Sequence, residues 1–137
     1  MIRKATRTDL LRIFEIRAAV KENKLSDPRR VTVEMCEWFI DHAAFWLWEE
    51  DGVVQGFSAA DPRDGTIFAL FMDPAFEGRG VGQVLLPLAC KTLRDAGHRV
   101  AHLDTEATTR AERFYQRNGW QEVGRKLDGQ IVFEKAI

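Results

Sequence analysis

At 137 residues, 45% of them hydrophobic, the chain is long enough for one domain that buries about two thirds of the surface its unfolded form exposes. Its net charge of −1 leaves no basic excess for nucleic acid: Arg110, Arg113 and Arg117 cluster, but Glu106 and Glu112 lie among them. No stretch approaches the roughly eighteen consecutive apolar residues of a membrane span, and no apolar run follows Arg3 and Lys4. These features predict a cytoplasmic protein with neither nucleic acid nor membrane as partner.

Met1 to Thr6 reads as a short first strand. Asp9 is then placed to cap a helix whose Leu10, Ile13, Phe14, Arg17 and Val20 recur at helical spacing. After the Asp27-Pro28 break, Thr32 or Val33 opens a second helix with Met35, Trp38 and Phe39 turned inward. Ala44 to Glu49 and Val53 to Ala60 read as strands joined by Asp51-Gly52, a strong hairpin signal. Gly65 to Met72 is a fourth strand, Gly80 to Ala96 a helix ending at Gly97, and Arg99 to Thr105 a fifth strand. Thr108 to Asn118 is a last helix, followed by a hairpin of Trp120 to Arg125 and Gln130 to Lys135 about Asp128-Gly129. Antiparallel hairpins thus flank a parallel strand-helix-strand unit, an α/β (α+β) arrangement with a mixed twisted sheet of about six or seven strands and about four helices. Cys36 and Cys90 both fall in apolar helical patterns, which predicts buried thiols rather than a disulfide or a metal pair.

The fourth strand ends at Asp73-Pro74, and Gly78, Gly80 and Gly82 then open the third helix. A helix start leaves backbone N–H groups without internal partners and carries about half a positive charge, so it favours anions. Glycines let a phosphate approach the backbone and let the loop adopt φ > 0. A Walker loop is excluded, because no lysine lies between Lys24 and Lys91. A dinucleotide fingerprint is excluded as well, because Gln83 stands where its third glycine belongs.

The run Glu77-Gly78-Arg79-Gly80-Val81-Gly82 resembles the pyrophosphate loop of the GCN5-related N-acetyltransferases, in which Gln or Arg and two variable residues precede Gly, one variable residue, and Gly or Ala. Glu77 departs from that pattern at its first position. Ala111, Phe114-Tyr115 and Gly119-Trp120 look like the late helix of the same family, and Ile2 to Thr6 with Asp9 like its first strand and helix cap. The resemblance spans nearly the whole chain and implies one domain over residues 1–137 with the family's fold. In that fold the parallel fourth and fifth strands splay apart to admit acetyl-CoA, and no metal takes part. It further implies that main-chain groups of Leu70, Phe71 and Met72 pair with pantetheine, and that amides of Gly78, Arg79, Gly80, Val81 and Gly82 hold the pyrophosphate, with the Arg79 guanidinium adding a contact. A homodimer is common among such enzymes.

Acyl transfer from a thioester to an amine needs a neutral amine, a stabilised oxyanion and a thiolate that can leave. Tyr115, the sole tyrosine, matches the position of the family's general acid. A phenol of pKa near 10 giving its proton fully to a thiolate near 8.5 is uphill by ~2 kcal/mol, so Tyr115 is expected to act chiefly as a hydrogen-bond donor to the departing sulfur. Packing in the core is its structural alternative. His102, Asp104 and Glu106 alternate along the fifth strand, and Asp104 is taken as the base, with solvent-facing charges as the competing reading. Glu22 and Asn23, in the polar loop after the first helix, are taken as amine contacts, against a frayed helix end. Trp46 and Trp48 share one strand face and serve either a pocket or the core. The expected activity is acetyl transfer to a primary amine of a small molecule or of a protein by direct attack in a ternary complex. A non-catalytic acyl-CoA sensor and a transferase using another donor or an oxygen nucleophile remain alternatives.

Overall fold

The computed structural model describes residues 1–23 and 31–137, so the Asp27-Pro28 break lies outside the described residues. Strand β1 (Ile2–Lys4) leads to helix α1 (Leu10–Ala19) and helix α2 (Val33–His42). Strands β2 (Phe45–Glu50), β3 (Val53–Asp61) and β4 (Thr66–Met72) follow, then helix α3 (Val81–Asp95), strand β5 (Val100–Thr105), helix α4 (Arg110–Arg117) and strands β6 (Gln121–Arg125) and β7 (Ile131–Ala136). All seven strands join one sheet in the order β1-β2-β3-β4-β5-β7-β6, in which β4 and β5 are parallel and every other pair is antiparallel.

Local chemistry accounts for most boundaries. Asp51 and Gly52 both take positive φ, 52° and 77°, the conformation a two-residue hairpin demands. The Thr32 hydroxyl accepts from the Met35 amide and starts α2. Asp9 precedes α1 but does not cap it. Its carboxylate accepts instead from the Thr6 amide and from the two terminal guanidinium nitrogens of Arg3, at 2.8 and 2.9 Å, which ties β1 to the start of α1. In α2, Cys36 and Phe39 are the buried residues; Met35 stays 38% exposed, one position off the inward stripe. Cys36 and Cys90 are buried free thiols, as their apolar settings predicted.

The sheet divides the core in two. On one face Ile13, Ile16, Phe39, Phe45, Leu47 and Phe57 pack under α1 and α2. On the other, Leu86, Ala89, Leu93, Leu103, Tyr115, Trp120 and Phe133 pack beneath α3 and α4. Strand β3 is buried from Val54 to Ala60, on both faces, as a central strand covered by two helical layers must be. Phe68 is an extra residue opposite the Ala59–Ala60 step, a bulge that bends β4. No helix of the described residues is long and apolar enough to cross a membrane.

Candidate active site

Strands β4 and β5 share one register pair, Thr66 with His102, marked by the His102 amide donating to the Gly65 carbonyl at 3.0 Å. Beyond it they part, so among the described residues the carboxyl half of β4 keeps β3 as its only strand partner. This is the splay expected between the fourth and fifth strands. The Asp73 amide donates to Gln55 at 2.9 Å, so Asp73–Gln55 is a hydrogen-bonded pair, and alternation along an antiparallel ladder fixes the rest. The main-chain groups of Leu70 and Met72 therefore point into the splay, whereas those of Phe71 point to β3. The expectation for Phe71 is corrected accordingly: its half-buried side chain, not its main chain, lines the opening.

Two clefts meet in this gap. The first, about 620 Å³, is lined by Leu70 to Met72, the loop Glu77 to Gln83, and Arg110, Phe114 and Tyr115 of α4. Gly78 and Gly80 both hold φ of 78°, which only glycine adopts without strain, and a Cβ at either would meet nothing within 4 Å. Gly80 is the N-cap of α3 and offers no capping side chain, so the first-turn amides of Val81, Gly82 and Gln83 open toward the cleft. At Gly82 a Cβ would lie 3.4 Å from the Phe114 ring, so glycine there lets α3 and α4 approach. The donor set and shape fit a pyrophosphate and its pantetheine arm. Arg79 lies with its guanidinium 5.2 Å from the Phe76 ring centre.

The second cleft, about 660 Å³, continues past the splay and is lined by Arg17, Val31, Met35, Thr66 to Phe71, Leu103 to Glu106, Lys126, Asp128 and Gln130. It shares Asn23, Leu70, Phe71, Ala111 and Tyr115 with the first. Tyr115 thus stands where the two join. It is 7% exposed and set edge-on to Phe114 and Trp120. Burial pushes its phenol well above the ordinary tyrosine value, and the nearby Cys90 adds in the same direction. Asp104 lines the second cleft in an ion pair with Lys126. His102 faces Glu134 at 3.5 Å. Glu106 has no ion-pair partner among the described residues.

Glu22 and Asn23 reach the site but are engaged within the chain. The Glu22 carboxylate accepts from the Arg110 amide at 2.9 Å and caps α4. Asn23 accepts from the Glu106 amide at 2.8 Å and donates to the Thr105 hydroxyl at 3.1 Å, holding the segment after α1 against the end of β5. Two pairings have no local sequence signal. Arg12 reaches Asp73, sixty-one positions on, and the same Asp73 accepts from the Ala75 amide at 2.9 Å, which anchors the turn before the glycines. Glu77 pairs with Arg110 at 2.6 Å across the cleft mouth. Among the described residues no three His, Cys, Asp or Glu side chains converge as a metal site.

Residues 9–120 match the sequence pattern described as the acetyltransferase (GNAT) family. The chain belongs to the GNAT family. A mycothiol acetyltransferase of Propionibacterium freudenreichii is 34% identical over 95 residues, which is 64% of this chain and 30% of that protein. One from Sanguibacter keddieii is 38% identical over 93 residues, 61% and 29% respectively. The chain therefore spans about 30% of the length of these curated relatives. Among solved structures, the PaiA N-acetyltransferase of Thermoplasma acidophilum in complex with coenzyme A superposes with a TM-score of 0.80 at 19% identity, covering 100% of this chain and 98% of that one. A ribosomal-protein-alanine N-acetyltransferase from Brucella melitensis gives 0.75 at 21%, covering 100% and 99%. These likenesses establish the GNAT fold, a seven-stranded mixed sheet with one parallel pair.

Proposed function

We propose that this chain forms one acetyl-CoA-dependent N-acetyltransferase domain, which transfers an acetyl group to a primary amine in a ternary complex. The observation that carries the reading is the splay: β4 and β5 separate after one register pair, and the gap runs from an uncapped helix start to a buried tyrosine. Acetyl-CoA supplies the activated acyl group as a thioester, and the neighbour solved with coenzyme A supports that donor.

The chain's part is to hold and to donate. Amides of Gly78 to Gly82 and of the first turn of α3 receive the pyrophosphate, with Arg79 beside them, while Leu70 and Met72 present main-chain groups to the pantetheine amides. The amine attacks the thioester carbonyl from the second cleft. A C–N bond forms, the C–S bond breaks, and Tyr115 donates a hydrogen bond to the departing sulfur. Because burial holds the phenol neutral, Tyr115 is a donor at every physiological pH. Protons released by the amine leave toward β5. There Asp104 shares its charge with Lys126, and Glu106, free of an ion pair among the described residues, is the more available relay. Glu22 and Asn23 shape the acceptor entrance through the bonds that fix them.

The relatives' names point to a small molecule in one case, mycothiol, and to a ribosomal protein in the other. The non-catalytic sensor reading has one observation in its favour, the Glu77–Arg110 pair spanning the cradle mouth. Thiol release from acetyl-CoA across an amine panel separates the two. Amine-dependent release with a matching N-acetyl product is expected, and binding of acetyl-CoA without release from any amine would establish the sensor.

A further inference from the structure

Arg17 sits where an arginine is costly. It lies on α1 between the buried Ile13, Ile16 and Val20, and its Nε is buried with no hydrogen-bond partner. Arg3, Arg7, Arg12, Arg63, Arg110 and Arg125 each pair with a carboxylate, and Arg79, Arg94, Arg99, Arg113 and Arg117, which do not, are exposed; among the described residues Arg17 is the arginine that is both half-buried and without a carboxylate. Its guanidinium instead lies 4.5 Å from the centre of the Phe71 ring, on the wall of the second cleft. Phe71 borders both clefts, so this cation stands next to the place where acetyl donor and acceptor meet. Burial pulls the guanidinium below its ordinary pKa, and the Cys36 thiol opposes that shift. A half-buried cation with no carboxylate beside it costs stability, and such costs concentrate where a ligand completes the pairing.

We infer that Arg17 binds an anionic group of the acceptor, and that the acceptor is a primary amine carrying a carboxylate, of amino-acid type. The inference rests on the transferase reading above and names its substrate class. A planar guanidinium matches a carboxylate through two parallel hydrogen bonds, and the Phe71 face holds its plane in place. The opposite wall discriminates further. Asp104, Glu106 and Asp128 line it, so the cleft offers positive charge on the α1 side and mainly negative charge on the β5 side. That arrangement suits a zwitterion, ammonium toward β5 and carboxylate toward Arg17, and it disfavours a dianionic phosphate.

The test uses the full chain saturated with coenzyme A and titrates product-like N-acetyl-L-amino acids of the proteinogenic set against their matched carboxamides. At least one acid is expected to bind tenfold or more tightly than its carboxamide. Arg17→Gln should erase that preference and leave the coenzyme A affinity within twofold. Arg17→Lys should retain part of it, since the charge remains without the fork. Equal binding of acids and carboxamides, or a preference that survives in Arg17→Gln, overturns the assignment. So does a melting temperature for Arg17→Met clearly below wild type, because that would make the arginine a structural element. The two readings fail differently: no thiol release with any amine sinks the transferase, whereas release that is equal for amino acids and their carboxamides sinks only the role of Arg17.

Discussion

Gly80 combines a positive φ with the N-cap of α3, and nothing surrounds the space where its side chain would be. Gly80→Asp should therefore cost only about 1 kcal/mol of stability, from the left-handed backbone. Its carboxylate would stand where phosphate belongs, so acetyl-CoA affinity should drop at least ~100-fold by calorimetry, through clash and charge together. Glu77 makes the opposite case. Its carboxylate faces the cradle and holds Arg110, so Glu77→Gln should strengthen acetyl-CoA binding by roughly threefold to tenfold at low salt, with the gain shrinking as salt rises. Tyr115→Phe should lower kcat by about tenfold or more while leaving the acetyl-CoA affinity unchanged. A rate within twofold of wild type would remove Tyr115 from the chemistry. The raised phenol also has a signed consequence. Below pH 10, the ordinary tyrosine value, folded and unfolded forms are both protonated and Tyr115 contributes no pH dependence. Above it the unfolded phenol ionises first, stability falls with rising pH, and Tyr115→Phe should flatten that alkaline limb in denaturant titrations. Tyr115 was legible in the sequence as the only tyrosine on an inward face. Arg17 was legible only as one member of a helical stripe, because its lack of a partner is a property of the packed structure.

At the scale of elements, local signals found both hairpins, the β4-loop-α3 unit and the stop of α4 at Gly119, whose φ is 85°. Where pairing is between distant positions the chain gave no cue. The carboxyl-terminal strand β7 inserts between β5 and β6, and a hairpin pattern alone does not say which of its two strands meets the sheet. Asp9 was expected as a helix cap and serves instead as the acceptor of Arg3 and Thr6, a bond network that depends on how β1 lies against α1. The Arg3 hydrogen bonds hold the Asp9 carboxyl below its ordinary value, with burial opposing. A depressed carboxyl stabilises the fold above its unfolded pKa of 3.8 and loses that contribution as pH falls below it. Asp9→Asn should destabilise by about 2 kcal/mol at neutral pH and reduce the acid sensitivity of unfolding below pH 4, measured by chemical denaturation at several pH values.

For the molecule as a whole, the sheet keeps two cores apart and leaves a gap between β4 and β5 that the described residues do not fill. A ligand that enters the gap supplies the missing edge contacts to β4, so acetyl-CoA at a hundred times its Kd should add about 2.7 kcal/mol of stability and raise Tm. The most direct test follows the backbone amides by two-dimensional NMR during titration with acetyl-CoA. A pyrophosphate cradle at the start of α3, with pantetheine along β4, predicts saturable shifts at Gly78 to Gln83 and at Leu70 and Met72, with Phe71 moving less because its amide stays bonded to β3. Saturation of binding with those resonances unmoved would contradict it.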